Sequence, residues 1–423
     1  MMKSMKQLLV LMGLVLSFLP VSAQKYAGGD ISLLPSYESH GAVYLDASGN
    51  RISSLLPYLK YQGLNAMRVR VFADPANATQ EEKGQGVVQT LDYAVALARQ
   101  IKQQGLALIV DFHYSDTWAD PSKQWTPQAW VSLTDAALRD TLGAYTLRAL
   151  QAFNAAGATP DFIQTGNEIS YGLCWGARDT QEAKKAYATT GANWQRFTSL
   201  LSAAVAACRQ ACPKAKVIIH TERVADPTYL VNYYKGLQTA GIGYDIAGLS
   251  YYSYYHGNLQ QLSRALTALE QAVSKDIMLV ETGYYHDYQP SGITGSYDLS
   301  NLYPVTSDGQ KAFTEALVDT LQHHPKVKGL FWWFLEANEH GLDWATQRVT
   351  EGWYNAGLFD NATGRVEPAL TSLARFADSS TGIALPKAGG SDSEHWYTLG
   401  GRAVSRPSGH GIFVSSKGRK RMP

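Results

Sequence analysis

Two glutamates stand where apolar runs give out, and the chemistry of the chain is read from them. FIQTGNEISYG (162–172) carries an apolar, β-branched run through Gly166 into Asn167 and Glu168, then opens a helix-like segment. IMLVETGYY (277–285) ends its apolar run on Glu281. A strand finishing in polar side chains rather than turn residues presents them at its end. Paired carboxyl groups suit cleavage of a glycosidic bond, one protonating the departing oxygen while the other acts at the anomeric carbon. A gap of about 5–5.5 Å between them gives retention through a covalent intermediate, and a wider one gives inversion. An arginine or a tyrosine hydroxyl beside the nucleophile keeps it ionised, while burial raises the pKa of the acid. A single strand-end glutamate more often caps a helix or pairs with a neighbour. Two of them, one preceded by Gly-Asn and the other followed by Thr-Gly, shift the reading to catalysis.

Further candidates end the other apolar runs. AMRVRVF (66–72) places Arg68 and Arg70 on one strand face. His113 is followed by SDTWADP, with Asp116, Trp118 and Asp120. His220 closes VIIHT, Tyr251 and Tyr252 close IAGLSYY, and Trp332 and Trp333 lie in GLFWWFL. Adjacent strand residues point oppositely, so one tryptophan at most faces the barrel mouth. Asn167 is placed to bond a sugar hydroxyl, a contact that strengthens in the transition state. No HxxxH or HExxH spacing makes the histidines metal ligands. EANEH (336–340) reads as a solvated loop, and Cys174, Cys208 and Cys212 make no disulfide framework. Without a partner histidine, Cys174 reads as a half-buried free thiol.

The elements that must position these groups are eight short apolar runs alternating with amphipathic stretches. The runs cover 26–32, 66–72, 107–113, 162–167, 217–221, 246–252, 277–281 and 329–335. Between them lie segments such as WQRFTSLLSAAVAACRQA (194–211), where Phe197, Leu200, Leu201, Ala204 and Val205 recur at helical spacing. Gly63, Gly105 and Gly157 read as helix stops. Eight such units over roughly 350 residues predict an α/β fold, a (β/α)₈ barrel with extended loops. The rival, an open doubly wound sheet, lacks its glycine-rich phosphate loop after the first strand.

Composition narrows the partners. Of 423 residues 45% are apolar and 17% charged, and a formal charge of +1 gives no field to steer the chain toward nucleic acid or an anionic membrane. The 25 tyrosines and 10 tryptophans suit stacking on sugar rings as well as filling a core. Residues 1–23 read as a secretory signal, with Lys3 and Lys6, the apolar stretch Leu8–Leu19 and the small-residue site Val21-Ser22-Ala23. That stretch is short for a transmembrane segment. The catalytic domain is expected over 24–378, a flexible linker over 379–394 and a short β-rich tail over 395–423 that ends in a solvated basic cluster. The tail resembles the small C-terminal tails, of the form YxLxGRxV…GIxxxxGRK, on exported proteins of some Gram-negative bacteria.

GGDIS, RVRVF, DFHYSDTWADP, TGNEIS, SYY, VET and GWYNAGLFDNATGRVEPAL together resemble glycoside hydrolase family 53, the arabinogalactan endo-β-1,4-galactanases, from about Tyr26 to Phe376. The resemblance implies a retaining (β/α)₈ enzyme with Glu168 as acid/base and Glu281 as nucleophile. Asn167, His113, one or both of Arg68 and Arg70, and Tyr252 then line the subsite where the bond breaks, and Trp118 and Asp120 help form the groove. Asp116 and His220 complete the candidate substrate-binding set. Leu335 stands where the family usually shows a tryptophan before Glu-Pro, which moves the stacking role to Trp333. HTERVADP (220–227) replaces an aspartate-rich turn. Some bacterial members carry calcium in the loop after strand seven, but YYHDYQPSG offers only His286 and Asp287, so no metal is expected and no organic cofactor is implied. The expected partner is a β-1,4-galactan polysaccharide, met by an exported monomer with no nucleic acid and no membrane span. The rivals are an endo-hydrolase of mannan or xylan and a non-catalytic glycan-binding barrel.

Overall fold

A computed structural model describes residues 24–179 and 182–378, together with tail strands at 396–398, 403–404, 413–415 and 420–421. The expected signal peptide (1–23) and linker (379–394) lie outside the described residues. Each of the eight apolar runs is a strand: β1 (Tyr26–Asp30), β2 (Ala66–Val71), β3 (Ala107–Phe112), β4 (Phe162–Thr165), β5 (Lys216–Thr221), β6 (Ile246–Tyr251), β7 (Asp276–Thr282) and β8 (Val327–Trp332). They are parallel and close in sequence order, β8 returning to β1 with Tyr26 opposite Gly329 and Gly29 opposite Trp332. The principal helices are α1 (Leu55–Tyr61), α2 (Leu91–Gln103), α3 (Asp135–Ala155), α4 (Gly191–Ala211), α5 (Pro227–Thr239), α6 (Leu259–Ala272), α7 (Ser307–Gln322) and α8 (Ala369–Asp378). A closed barrel excludes the open sheet.

Alternation along each strand builds two cores. In β2, Met67, Val69 and Val71 pack outward against the helices, while Ala66 joins Ile109, Phe162, Ile218, Ile246, Met278 and Phe331 inside the barrel. The helical spacing of α4 buries Phe197, Leu200, Leu201 and Ala204 as expected. Burying each large side chain is worth about 1.5–3 kcal/mol. Thr90 starts α2 by accepting the Tyr93 N–H, satisfying one of the end groups a helix cannot bond internally.

The C-terminal rim carries backbone strain. Gly166 precedes the Asn167-Glu168 pair at φ +96°, and a Cβ there would sit 2.7 Å from Ile169. Glu168 itself has φ 47°, as do Tyr114 (50°) and Phe334 (49°) just past β3 and β8. Non-glycine residues in this region cost about 1–3 kcal/mol each and persist where surrounding packing over-determines them. A register shift between Leu249 and Ser250 brings Ser250 opposite Glu281 on the neighbouring strand, the kind of irregularity that re-aims side chains near a site.

Two expectations are corrected. EANEH is not solvated: Glu336 is fully buried and accepts the Leu33 N–H at 2.6 Å, and Glu339 accepts the Tyr37 hydroxyl. The chain turns inward after β8 because the Leu335 amide bonds back to Asp30 O at 3.2 Å. Cys174 is buried rather than half-buried, and burial pushes its thiol up to about 12, the wrong direction for a nucleophile. The tail strands β9 (Trp396–Thr398), β10 (Ala403–Val404), β11 (Phe413–Ser415) and β12 (Lys420–Arg421) form a separate antiparallel sheet in the order β10-β9-β11-β12. Among the described residues no helix is long and apolar enough to cross a membrane.

Candidate active site

Arg68 and Arg70 both point into the barrel from β2, where a guanidinium is tolerated only if paired. Arg68 is fully buried and lies 3.1 Å from Asp30, 2.8 Å from Asp111 and 2.9 Å from Glu281 Oε1. Its Nη2 also donates to Asn167 Oδ1 at 2.9 Å. The Tyr252 hydroxyl donates to Glu281 Oε2 at 3.1 Å, so each Glu281 oxygen faces a donor. Glu168 is served differently, by the Ser250 hydroxyl at 2.6 Å. His220 stands behind it. Its Nδ1 receives the Glu168 N–H at 3.3 Å, leaving Nε2 to donate to Ser250 Oγ at 2.8 Å. Burial, helped by the Arg68 charge, holds the His220 pKa well below its ordinary value and keeps the ring neutral.

These surroundings drive the two carboxyl groups apart. Burial raises the pKa of Glu168 well above the carboxylate range, and the charges of Glu281 and Glu222 add to it against the Ser250 bond. Burial raises Glu281 too, but Arg68 and the Tyr252 hydroxyl oppose it. The pair titrates as a unit, and Glu281 is the member that gives up its proton first. That is the order an acid and a nucleophile require.

Both open into a cleft of about 770 Å³ whose wall includes Trp118, Asp120, Asn167, Tyr252 and Trp333. Trp332, as the alternation required, turns away from the mouth and donates its indole N–H to Ala356 O at 2.7 Å. The other five candidates lie beneath or behind the cleft rather than on its wall. Arg68 underlies Glu281, and His220 backs Glu168. His113 sits with Nε2 3.1 Å from Asp111 and Nδ1 accepting the Ala119 N–H at 3.1 Å. Asp116 accepts from Asn77 and the Gln128 N–H, pinning the loop that carries Trp118. Arg70 pairs with Asp30 at 2.7 Å and packs against the rings of Trp118 (4.6 Å), Trp333 (5.2 Å) and Phe334 (5.0 Å). For Arg68, Arg70 and His113 the reason is electrostatic: they pair with Asp30 and Asp111, both fully buried.

Those aspartates escaped the sequence reading, although each was a lone acid inside an apolar run, in YAGGDIS and ALIVDFH. Ser250, Glu222 and Trp353 were also missed. Glu222 lines the cleft and accepts from the Ser170 hydroxyl, and burial raises its pKa. HTERVADP had marked this turn as unusual without pointing to its glutamate.

After β7, His286 approaches Asp360 and Glu367, with one donor atom from each within 4.8 Å of the others. An imidazole and two carboxylates do not fit an ion that takes six to eight oxygens.

Residues 26–373 match the family model described as Glycosyl hydrolase family 53. The arabinogalactan endo-β-1,4-galactanase of Thermothelomyces thermophilus is 30% identical over 319 residues, 74% of this chain and 89% of the relative. The endo-β-1,4-galactanase of Bacillus subtilis is 26% identical over 362 residues, 79% of this chain and 80% of the relative. The family 53 catalytic domain of Ignisphaera aggregans superposes with a TM-score of 0.71 at 30% identity, covering 84% of this chain and 97% of that one. A match that runs from the first strand of the barrel into its last helix leaves little of the catalytic unit outside it, and the chain belongs to glycosyl hydrolase family 53.

Proposed function

We propose that this chain is an exported, monomeric, retaining endo-β-1,4-galactanase acting on pectic galactan, with Glu281 as nucleophile and Glu168 as acid/base. The reading rests on two carboxyl groups in one cleft whose surroundings separate their pKa values, in a chain of this family. Glu281 attacks the anomeric carbon while Glu168 gives its proton to the departing oxygen, breaking the glycosidic bond and forming a glycosyl ester. Glu168, now a base, takes a proton from water, which displaces Glu281. Burial raises the pKa of Glu281 to about 7, and Arg68 and Tyr252 offset part of that rise, favouring the ionised form for the attack. Asn167, its carbonyl fixed by Arg68 and one amide hydrogen by Ala119 O at 2.9 Å, presents the rest of its amide to the sugar.

Internal cleavage follows from the cleft's continuation. Tyr255, Gly352 and Trp353 are shared with a second cavity of about 590 Å³ that adds Tyr254, Tyr285 and Tyr288. A run of aromatic faces suits several consecutive sugar rings. Chromatography of products from linear β-1,4-galactan is the test, with mannan and xylan alongside and Glu281→Gln as control. A ladder of galacto-oligosaccharides from the intact protein alone supports the reading. Hydrolysis of mannan or xylan without galactan would move the assignment to another β-linked polymer.

Glu222 has a separable effect. Its charge helps keep Glu168 protonated, so Glu222→Gln lowers the pKa of Glu168. The alkaline limb of kcat/KM then moves to lower pH, because the acid loses its proton sooner. The acid limb, set by Glu281, stays in place. A pH–rate profile unchanged on the alkaline side would remove Glu222 from this role.

A further inference from the structure

Helix α1 buries Leu55, Leu56 and Leu59 against the barrel. Its tyrosines, Tyr58 and Tyr61, are three residues apart and so are neighbours on one helix face. Tyr58 is half-buried, whereas Tyr61 is 86% exposed, the most of any large apolar side chain among the described residues. A lone exposed ring needs no explanation. This one borders a cavity of about 630 Å³ between α1, the turn that begins at Asp46 and the segment leading into α8. The cavity shares no lining residue with the reaction cleft or with its aromatic continuation.

Backbone bonds hold its walls. The Leu45 N–H donates to Gly364 O at 2.7 Å and the Val366 N–H to Leu45 O at 2.9 Å. Asp46 Oδ1 fixes the turn by accepting the Ser48 and Asn50 N–H groups at 2.9 and 2.8 Å. Two planar polar groups on these walls have no partner among the described residues. Arg365 bonds through its backbone, to Asp360 and Thr363, and its guanidinium lies over Gly49, where a Cβ would sit 2.9 Å from Nη2. Gln62 bonds through its N–H to Tyr58 O at 2.9 Å, which leaves its side-chain amide free. Aromatic faces with free amide and guanidinium donors beside them match a pyranose, whose C–H face stacks while its hydroxyls reach the polar groups. Asp46 and Glu367 border the same cavity and offset the arginine charge, so a neutral sugar fits it better than a uronate.

We propose that Tyr58, Tyr61, Gln62 and Arg365 form a second carbohydrate site, outside the cleft, that binds a stretch of β-1,4-galactan. The choice of sugar rests on the galactanase reading above. A polymer held there stays at high effective concentration beside the cleft. The test compares Glu281→Gln with the same protein carrying Tyr61→Ala, by affinity electrophoresis in linear β-1,4-galactan or polygalacturonate. Galactan retards the first protein and retards the second about threefold less, while polygalacturonate retards neither. Tyr61→Phe keeps the ring and keeps the retardation. With Glu281 intact, Tyr61→Ala raises KM for long galactan about two- to fivefold. It leaves kcat/KM for galactotetraose and the Tm unchanged, because the side chain is exposed and far from the bond that breaks. Equal retardation of the two proteins, an equal KM on long galactan, or a matching loss on galactotetraose would overturn the site. Tyr61-dependent retardation by polygalacturonate would overturn the neutral ligand. The gel comparison needs no hydrolysis, so a parent that leaves galactan uncut fails the galactanase reading and not this one.

Discussion

Replacing Glu281 by glycine lowers turnover of galactan by about 10⁴-fold or more, and azide restores cleavage of an aryl β-galactobioside with formation of the α-galactosyl azide. The vacated space lies on the face from which the carboxylate attacks, so azide forms its bond to the anomeric carbon there while the phenolate departs. Glu168→Ala fails differently. Galactan hydrolysis falls about 10²–10⁴-fold because the poor leaving group is no longer protonated. An aryl glycoside with a good leaving group still glycosylates Glu281, and the intermediate accumulates because no base activates water. KM falls with kcat, and azide attacks the opposite face to give the β-galactosyl azide. Mass spectrometry and NMR of the two azide products decide the roles. The same anomer from both variants, or the two reversed, would end this assignment.

The roles are separable because the fold gives the two carboxyl groups unlike neighbours, and only part of that was legible in the sequence. The barrel was plain from eight apolar runs, each of which became a strand, since period and length are local properties. Glu168 and Glu281 were legible for the same reason, standing at strand ends. What surrounds them is not local. Ser250 reaches Glu168 across 82 residues of sequence, through a strand whose register shift no pattern announces. Arg70 looked like Arg68 from its position, yet it lies under three aromatic rings because Asp30 draws it down. The burial of EANEH depended on a backbone bond from Leu335 to Asp30, a contact between the ends of the barrel that reading one loop at a time does not reveal.

Arg68→Met removes the side chain that most of these interactions share, and its effect should be large on both stability and rate. Asp30 keeps Arg70 and Asp111 keeps His113, but Glu281 is left with the Tyr252 hydroxyl alone. Breaking a buried ion network from one side costs about 3–5 kcal/mol, because the remaining charges stay buried without compensation. The pH dependence gives the result its signature. Burial works against ionisation of Asp111, yet Arg68 and His113 hold its pKa below the ordinary value. A carboxyl group depressed in the folded state adds stability at neutral pH that is lost as the pH falls through its folded pKa. The gap between parent and variant is therefore widest near pH 7 and shrinks in acid, once the carboxylates take up protons. Activity shifts the opposite way along the same axis. Without Arg68, the pKa of Glu281 rises further, so the acid limb of kcat/KM moves to higher pH and the remaining activity is confined to alkaline solution. Arg68→Lys keeps a charge but cannot reach three carboxylates with a single ammonium, and should recover part of the stability while leaving the acid limb displaced. Thermal unfolding at pH 4 and pH 7, with pH–rate profiles of both variants, tests the argument. A Tm deficit that is the same at both pH values would mean that packing, rather than charge, is what Arg68 supplies.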